Sequence, residues 1–158
     1  MIVVSNSSPI ISLSSVGRID LLEKLFSEIH IPSHVYTEIK AKNKYGHDEI
    51  DFPFFKVTEI KNKNSSLILE TEIDRGEAEA IELSLELKSD LLILDDRLGL
   101  KIAKNLGIES MGTLGILLLA KEKGYIKNVK NLLDEMIARG RWYSPKVRNY
   151  FLSQIGEI

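Results

Sequence analysis

The spacing of apolar positions changes several times along the chain, and each change marks an element. Residues 2–5, IVVS, are apolar and β-branched without alternation, which predicts a buried strand. Residues 90–94, DLLIL, predict a second, of the fully apolar kind found at the centre of a parallel sheet. EIHI at 28–31 and GIESMG at 107–112 predict short strands, and FFKVTEI at 54–60 alternates like a half-buried one. Between these runs the spacing shifts to three and four. Helices are predicted from Ser8-Pro9 to about Ser15, with Gly17 as the stop, and over 18–26, with Ile19, Leu22 and Phe26 on one face. Pro32 opens another over 33–42. Asp74 starts the strongest, 75–88, with Ala78, Ile81 and Leu85 turned inward and Glu79 and Glu82 on the solvated face. Further helices are predicted over 97–106, from Thr113 to 124, over 129–140 behind Asn128, and from Ser144-Pro145 through Leu152. Residues 43–53 are polar and irregular, and SSLILE at 65–70 fits neither period.

Strands followed by crossover helices imply an α/β sandwich with a mostly parallel central sheet flanked by helices. Sites in such sheets form at the carboxyl ends of strands. Asn6 follows the first strand, and Asp95 and Asp96 follow the DLLIL strand.

Composition narrows the picture. The length, 158 residues, suits one domain over 1–158. No apolar run reaches the roughly 20 residues that cross a membrane, and the start MIVVSNSSP lacks the pattern of a signal peptide. With no cysteine there are no disulfides and no thiolate sites. A cytoplasmic protein with no membrane partner is the simplest reading. The formal charge of −2 offers no attraction to nucleic acid, so a polyanion would need a local basic patch or a metal ion.

The acids carry the candidate chemistry. Glu38, Glu77, Glu79, Ser7 and Ser8 can join Asn6, Asp95 and Asp96 at the strand ends. Carboxylates from distant parts of one chain suit hard divalent cations with oxygen ligands. Each residue also has an ordinary role. Asp95 or Asp96 can N-cap the following helix, Asp74-x-x-Glu77 fits a capping box, and Asn6 can bond its own backbone in a turn.

Taken in order, four segments resemble the PIN domain, a family of metal-dependent ribonucleases, and within it the PIN-like toxins of prokaryotic toxin–antitoxin pairs. They are VVSNSSPIISLSSVGRIDLL, IPSHVYTEI, GEAEAIELSLELKSDLLILDDRLGLKIAKNLGI and GTLGILLLAKEKGYI. The resemblance implies a PIN-like three-layer sandwich. It places the family's acids at Glu38, Glu77 and Asp96 as catalytic residues. The implied Mg²⁺ or Mn²⁺ ligands are Asn6, Glu38, Glu77, Asp95 and Asp96. Where the family has its first acid this chain has Asn6, an oxygen ligand without charge, so metal affinity is expected to fall. Thr113 is expected to hold the cluster by hydrogen bonds.

On the substrate side stand Ser7, Arg97, Lys101 and Thr113. Arg97, Lys101 and Lys104 share a helix face, with Lys104 read as simply solvated. Trp142, Tyr143, Tyr150 and Phe151 stand among Arg139, Arg141, Lys146 and Arg148, and the aromatics are expected to pack the tail rather than bind RNA. The apolar helix from Thr113 suits burial on both sides, partly by a second subunit. The implied function is a metal-dependent endoribonuclease with RNA as substrate, a cognate antitoxin as partner and a homodimer or higher homo-oligomer as its state. The alternative is a PIN-like module, weak or inactive as a catalyst, that binds RNA or a protein. A phosphoacceptor receiver domain ranks low, because its paired acids would follow the first strand.

Overall fold

A computed structural model describes residues 1–158. Five strands form one sheet: β1 (Val3–Ser5), β2 (Ile29–Pro32), β3 (Phe55–Thr58), β4 (Leu91–Ile93) and β5 (Ser110–Met111). Nine helices flank it: α1 (Ser7–Ser15), α2 (Asp20–Phe26), α3 (Ser33–Ala41), α4 (Lys63–Leu69), α5 (Arg75–Leu87), α6 (Arg97–Asn105), α7 (Thr113–Glu122), α8 (Val129–Ala138) and α9 (Pro145–Gln154). The strand order is β3-β2-β1-β4-β5 and every pairing is parallel. The sheet is therefore wholly parallel.

Strand alternation sorts the core into two layers. Val3, Leu91 and Ile93 face one side, with Ile10, Leu13, Leu22, Ile116 and Leu133. Val4, Leu92 and Leu94 face the other, with Ala78, Ile81, Leu83 and Ala103. Helices cover both faces, which is why the β1 and β4 runs are apolar without alternation.

Chain order runs outward from β1 through β2 and β3, then returns to the other side of β1 for β4 and β5. The crevice at that reversal lies between the ends of β1 and β4. Ser5 pairs with Ile93, and the Asn6 N–H donates to the Ile93 carbonyl at 3.0 Å. Asn6 and the Asp95–Asp96 pair thus leave the sheet side by side.

Several local expectations are corrected. The first helix begins at Ser7 with Asn6 as its N-cap, not at Ser8. Residues 43–53 include a short 3-10 turn, Glu49–Asp51. SSLILE belongs to α4, which presents Leu67 and Ile68 to solvent, 58% and 71% exposed. On α5, Leu85 is exposed, whereas Glu79 and Glu82 are buried. The reason is that α5 packs against α3, α4 and α6 as well as the sheet, so its far face is covered too. Glu79 accepts from Arg75 Nε at 2.9 Å. Burial, then the neighbouring Glu86, pushes Glu82 upward from its ordinary pKa. No helix is long and apolar enough to cross a membrane.

Candidate active site

Asn6 is held by its backbone, and its side chain is left to face the crevice. The residue is 4% exposed, and its side-chain Oδ1 is buried with no hydrogen-bond partner. A buried amide oxygen without a donor costs about 1–3 kcal/mol. It needs something positive beside it, and what stands beside it is acidic. A Cβ built on Gly76 would lie 3.4 Å from Asn6 Oδ1, 3.6 Å from Asp74 Oδ1 and 3.7 Å from Glu38 Oε2. Three oxygens, from the residue after β1, from α3 and from the N-cap of α5, therefore share the space above one glycine.

Glu38 lies on α3. Ser7 Oγ donates to its Oε1 at 2.5 Å, and His34 Nε2 lies 4.0 Å from its Oε2 on the same helix. Glu77 belongs to a capping box. Its N–H donates to Asp74 Oδ1 at 2.8 Å, and the Asp74 N–H donates to Glu77 Oε2 at 3.3 Å. The capping-box role weighed for Glu77 is thus present, in the first turn of α5. Asp96 caps α6, accepting from the Gly99 N–H through Oδ2 at 2.7 Å.

Burial first, then the charges of Asp74, Asp96 and Glu38, push the Glu77 carboxyl up to about 7. Like charges that disfavour one another's ionised form have this effect. No three acids or histidines of the chain stand close enough to chelate an ion as they are placed. The donor set fits a hard divalent cation all the same: a buried, unbonded amide oxygen, carboxylates at three helices, and one carboxyl pushed up by burial and then by its acidic neighbours.

Asp95, beside Asp96 in the chain, is tied instead to Thr113 and makes a second layer of contacts. The Thr113 N–H donates to Asp95 Oδ1 and the Thr113 hydroxyl to Oδ2, each at 2.7 Å. Thr113 is fully buried and Ser7 nearly so, so their hydroxyls orient Asp95 and Glu38 from within the protein. Tyr143 joins this second layer, its hydroxyl pushed up to about 12 by burial and then by the Asp95 charge. Thr113→Val keeps the side-chain shape but removes one of the two Asp95 hydrogen bonds. We expect a loss of roughly 1–2 kcal/mol, or roughly 2–4 °C in Tm per kcal/mol at this chain length. An unchanged thermal melt would rule out the Thr113–Asp95 tether.

Asp74 and Gly76 are the members that the sequence reading did not place here. Asp74 was visible only as a helix start, since one residue serves both as cap and as part of the acidic group. Arg97, Lys101 and Lys104 are exposed on α6 and enter none of the chain's ion pairs. The aromatic tail divides: Tyr143 and Phe151 pack on the core, while Trp142 and Tyr150 are 83% and 68% exposed.

A family model described as a PIN domain matches residues 2–157. No curated protein matches the chain.

Proposed function

The chain belongs to the PIN domain family, a nuclease-like fold that generally uses divalent metals, and from that premise we propose that it is a metal-dependent endoribonuclease. The observation that carries this reading is the group at the ends of β1 and β4: the unbonded Asn6 Oδ1 beside Glu38, with Glu77 raised by burial and then by its acidic neighbours. Mg²⁺ or Mn²⁺, held by Asn6, Glu38, Glu77 and Asp96, would activate a water and neutralise charge gathering on the scissile phosphate. The protein's own part is positioning. Ser7 fixes the Glu38 carboxylate, the Gly99 N–H fixes Asp96, and the capping box fixes Glu77. Without the cation, burial and then the neighbouring acids hold the Glu77 carboxyl up at about 7. No side-chain nucleophile is required.

The reading extends to a toxin with a cognate antitoxin. It also extends to self-association through the half-buried Leu114 and Leu118 of α7. A second reading, a PIN-like module that binds RNA or a protein without cutting, is favoured by Asn6, which brings no charge to the metal. Incubation of the full chain with labelled single-stranded and structured RNA separates the two. The nuclease reading expects cleavage in Mn²⁺, none in EDTA, and a loss of roughly 100-fold in Asp96→Asn, since metal-borne charge stabilisation is worth several kcal/mol. Uncut RNA under all these conditions would leave the binding module as the better account.

A further inference from the structure

We propose that a second cleft, opening one residue from Asp96, is a subsite that stacks an unpaired nucleobase of RNA on Trp142 and holds the adjoining phosphate with Arg141 and Arg97. The proposal takes its ligand from the ribonuclease reading and its place beside the acidic group from Asp95, which lines the cleft. The cleft has a volume of about 680 Å³, and its lining includes Ser12, Asp95, Arg97, Arg141, Trp142 and Tyr143. Asp95 adjoins Asp96 in the chain, and successive Cα atoms are about 3.8 Å apart. A strand whose scissile phosphate lies at Asp96 would have a neighbouring nucleotide within reach of this cleft.

The lining has the chemistry that a single strand needs. Trp142 is 83% exposed, a large apolar face left in water. Arg141 is fixed at one end, its Nε donating to Ser12 Oγ at 2.9 Å, and it enters no ion pair with a carboxylate. Arg97 is likewise unpaired. The one acid in the cleft, Asp95, has both carboxylate oxygens engaged by Thr113. Two unpaired guanidinium groups beside a free indole combine phosphate attraction with a stacking platform. In a chain whose formal charge is −2, this gives RNA the local basic patch that the overall charge withholds.

Trp142 is the only tryptophan, so its emission reports on this cleft alone. The test is a fluorescence titration of the full chain in EDTA, so that nothing is cut, paired with anisotropy of the labelled RNA. A single-stranded RNA is expected to quench Trp142 saturably. The same strand with abasic sites should bind roughly tenfold more weakly and leave the emission unchanged, as for the loss of one stacked base. Trp142→Ala should lose a similar factor. Arg141→Ala should lower the slope of log affinity against log salt by about one. Tyr150→Ala, which removes an exposed aromatic outside the cleft, should bind as the natural protein does. Three results would each overturn the subsite: no emission change at saturating RNA, equal binding of the abasic strand, or undiminished binding by Trp142→Ala. An equal response to polyglutamate would also overturn it, pointing to an acidic protein partner. Base-dependent quenching without Mn²⁺-dependent cleavage would uphold the subsite and reject the nuclease. Cleavage without quenching would do the reverse.

Discussion

Asn6→Asp is expected to bind Mn²⁺ roughly tenfold more tightly than the natural chain, and to melt at a lower temperature once metal is removed. Both effects come from one added charge. Asn6 is 4% exposed, and its Oδ1 shares the space above Gly76 with Asp74 and Glu38. A carboxylate there would be a further buried negative charge among acids. Leaving a buried charge unpaired costs about 3–5 kcal/mol, part of which the group evades by taking up a proton. A divalent cation reverses the sign, because the charge that repels Glu38 attracts the metal. A gain of about 1.4 kcal/mol in binding is tenfold in affinity. Calorimetric titration with Mn²⁺ and thermal melts in EDTA and in Mn²⁺ check both halves. If the variant melts like the natural chain in EDTA and binds Mn²⁺ no better, Asn6 does not face the cation.

Glu77→Gln is expected to abolish cleavage, by roughly 100-fold or more, while stabilising the metal-free protein at alkaline pH. The Glu77 carboxyl is pushed from its ordinary 4.5 to about 7, chiefly by burial and then by Asp74 and Asp96. A carboxyl raised in the fold binds protons there that it has lost in the unfolded chain. Its contribution therefore weakens the fold as pH rises from about 4.5 through about 7, and the full penalty stands above that. The group is partly solvated, so the effect is scaled down to about 1 kcal/mol. Glutamine carries no charge at any of these pH values, and it can still accept the Asp74 N–H in the capping box. The difference in denaturant stability between the variant and the natural chain should be near zero at pH 4 and reach its maximum by pH 8, both in EDTA. A difference that does not change with pH would mean that Glu77 does not feel the neighbouring acids.

Much of this arrangement was legible in the residue pattern, and the remainder failed for identifiable reasons. The β1 and β4 runs mark a covered parallel sheet because Val3 and Val4, and Leu91 to Leu94, follow one another without polar alternation. With those strands as neighbours, Asn6 and Asp96 leave the sheet together. The α5 helix was legible as a helix but not in its facing. Glu79 and Glu82 read as solvated because a single helical period shows one buried stripe, whereas packing on α3, α4 and α6 buries a second. Leu67 and Ile68 confused α4 for the converse reason, being apolar and exposed. That helix is started by the Asn62 side chain, which accepts from the Ser65 N–H, and anchored by Glu86, which accepts from the N–H groups of Lys61 and Asn62. The Glu86 contact is long-range and has no local signature. In the site, DD looked like one cap and one spare acid. Asp96 is the cap and also lies close enough to raise Glu77, while Asp95 is tied to Thr113, a partner 18 residues away.

The central claim is that Asn6, Glu38, Glu77 and Asp96 form one divalent-cation centre. An anomalous-difference map from crystals soaked in Mn²⁺ tests it most directly. The account predicts a strong peak at the ends of β1 and β4, within ligand distance of Asn6 Oδ1 and of the Glu38, Glu77 and Asp96 carboxylates, and lost in Asp96→Asn crystals. A fully soaked crystal with no peak there, or with manganese bound only elsewhere, would contradict it.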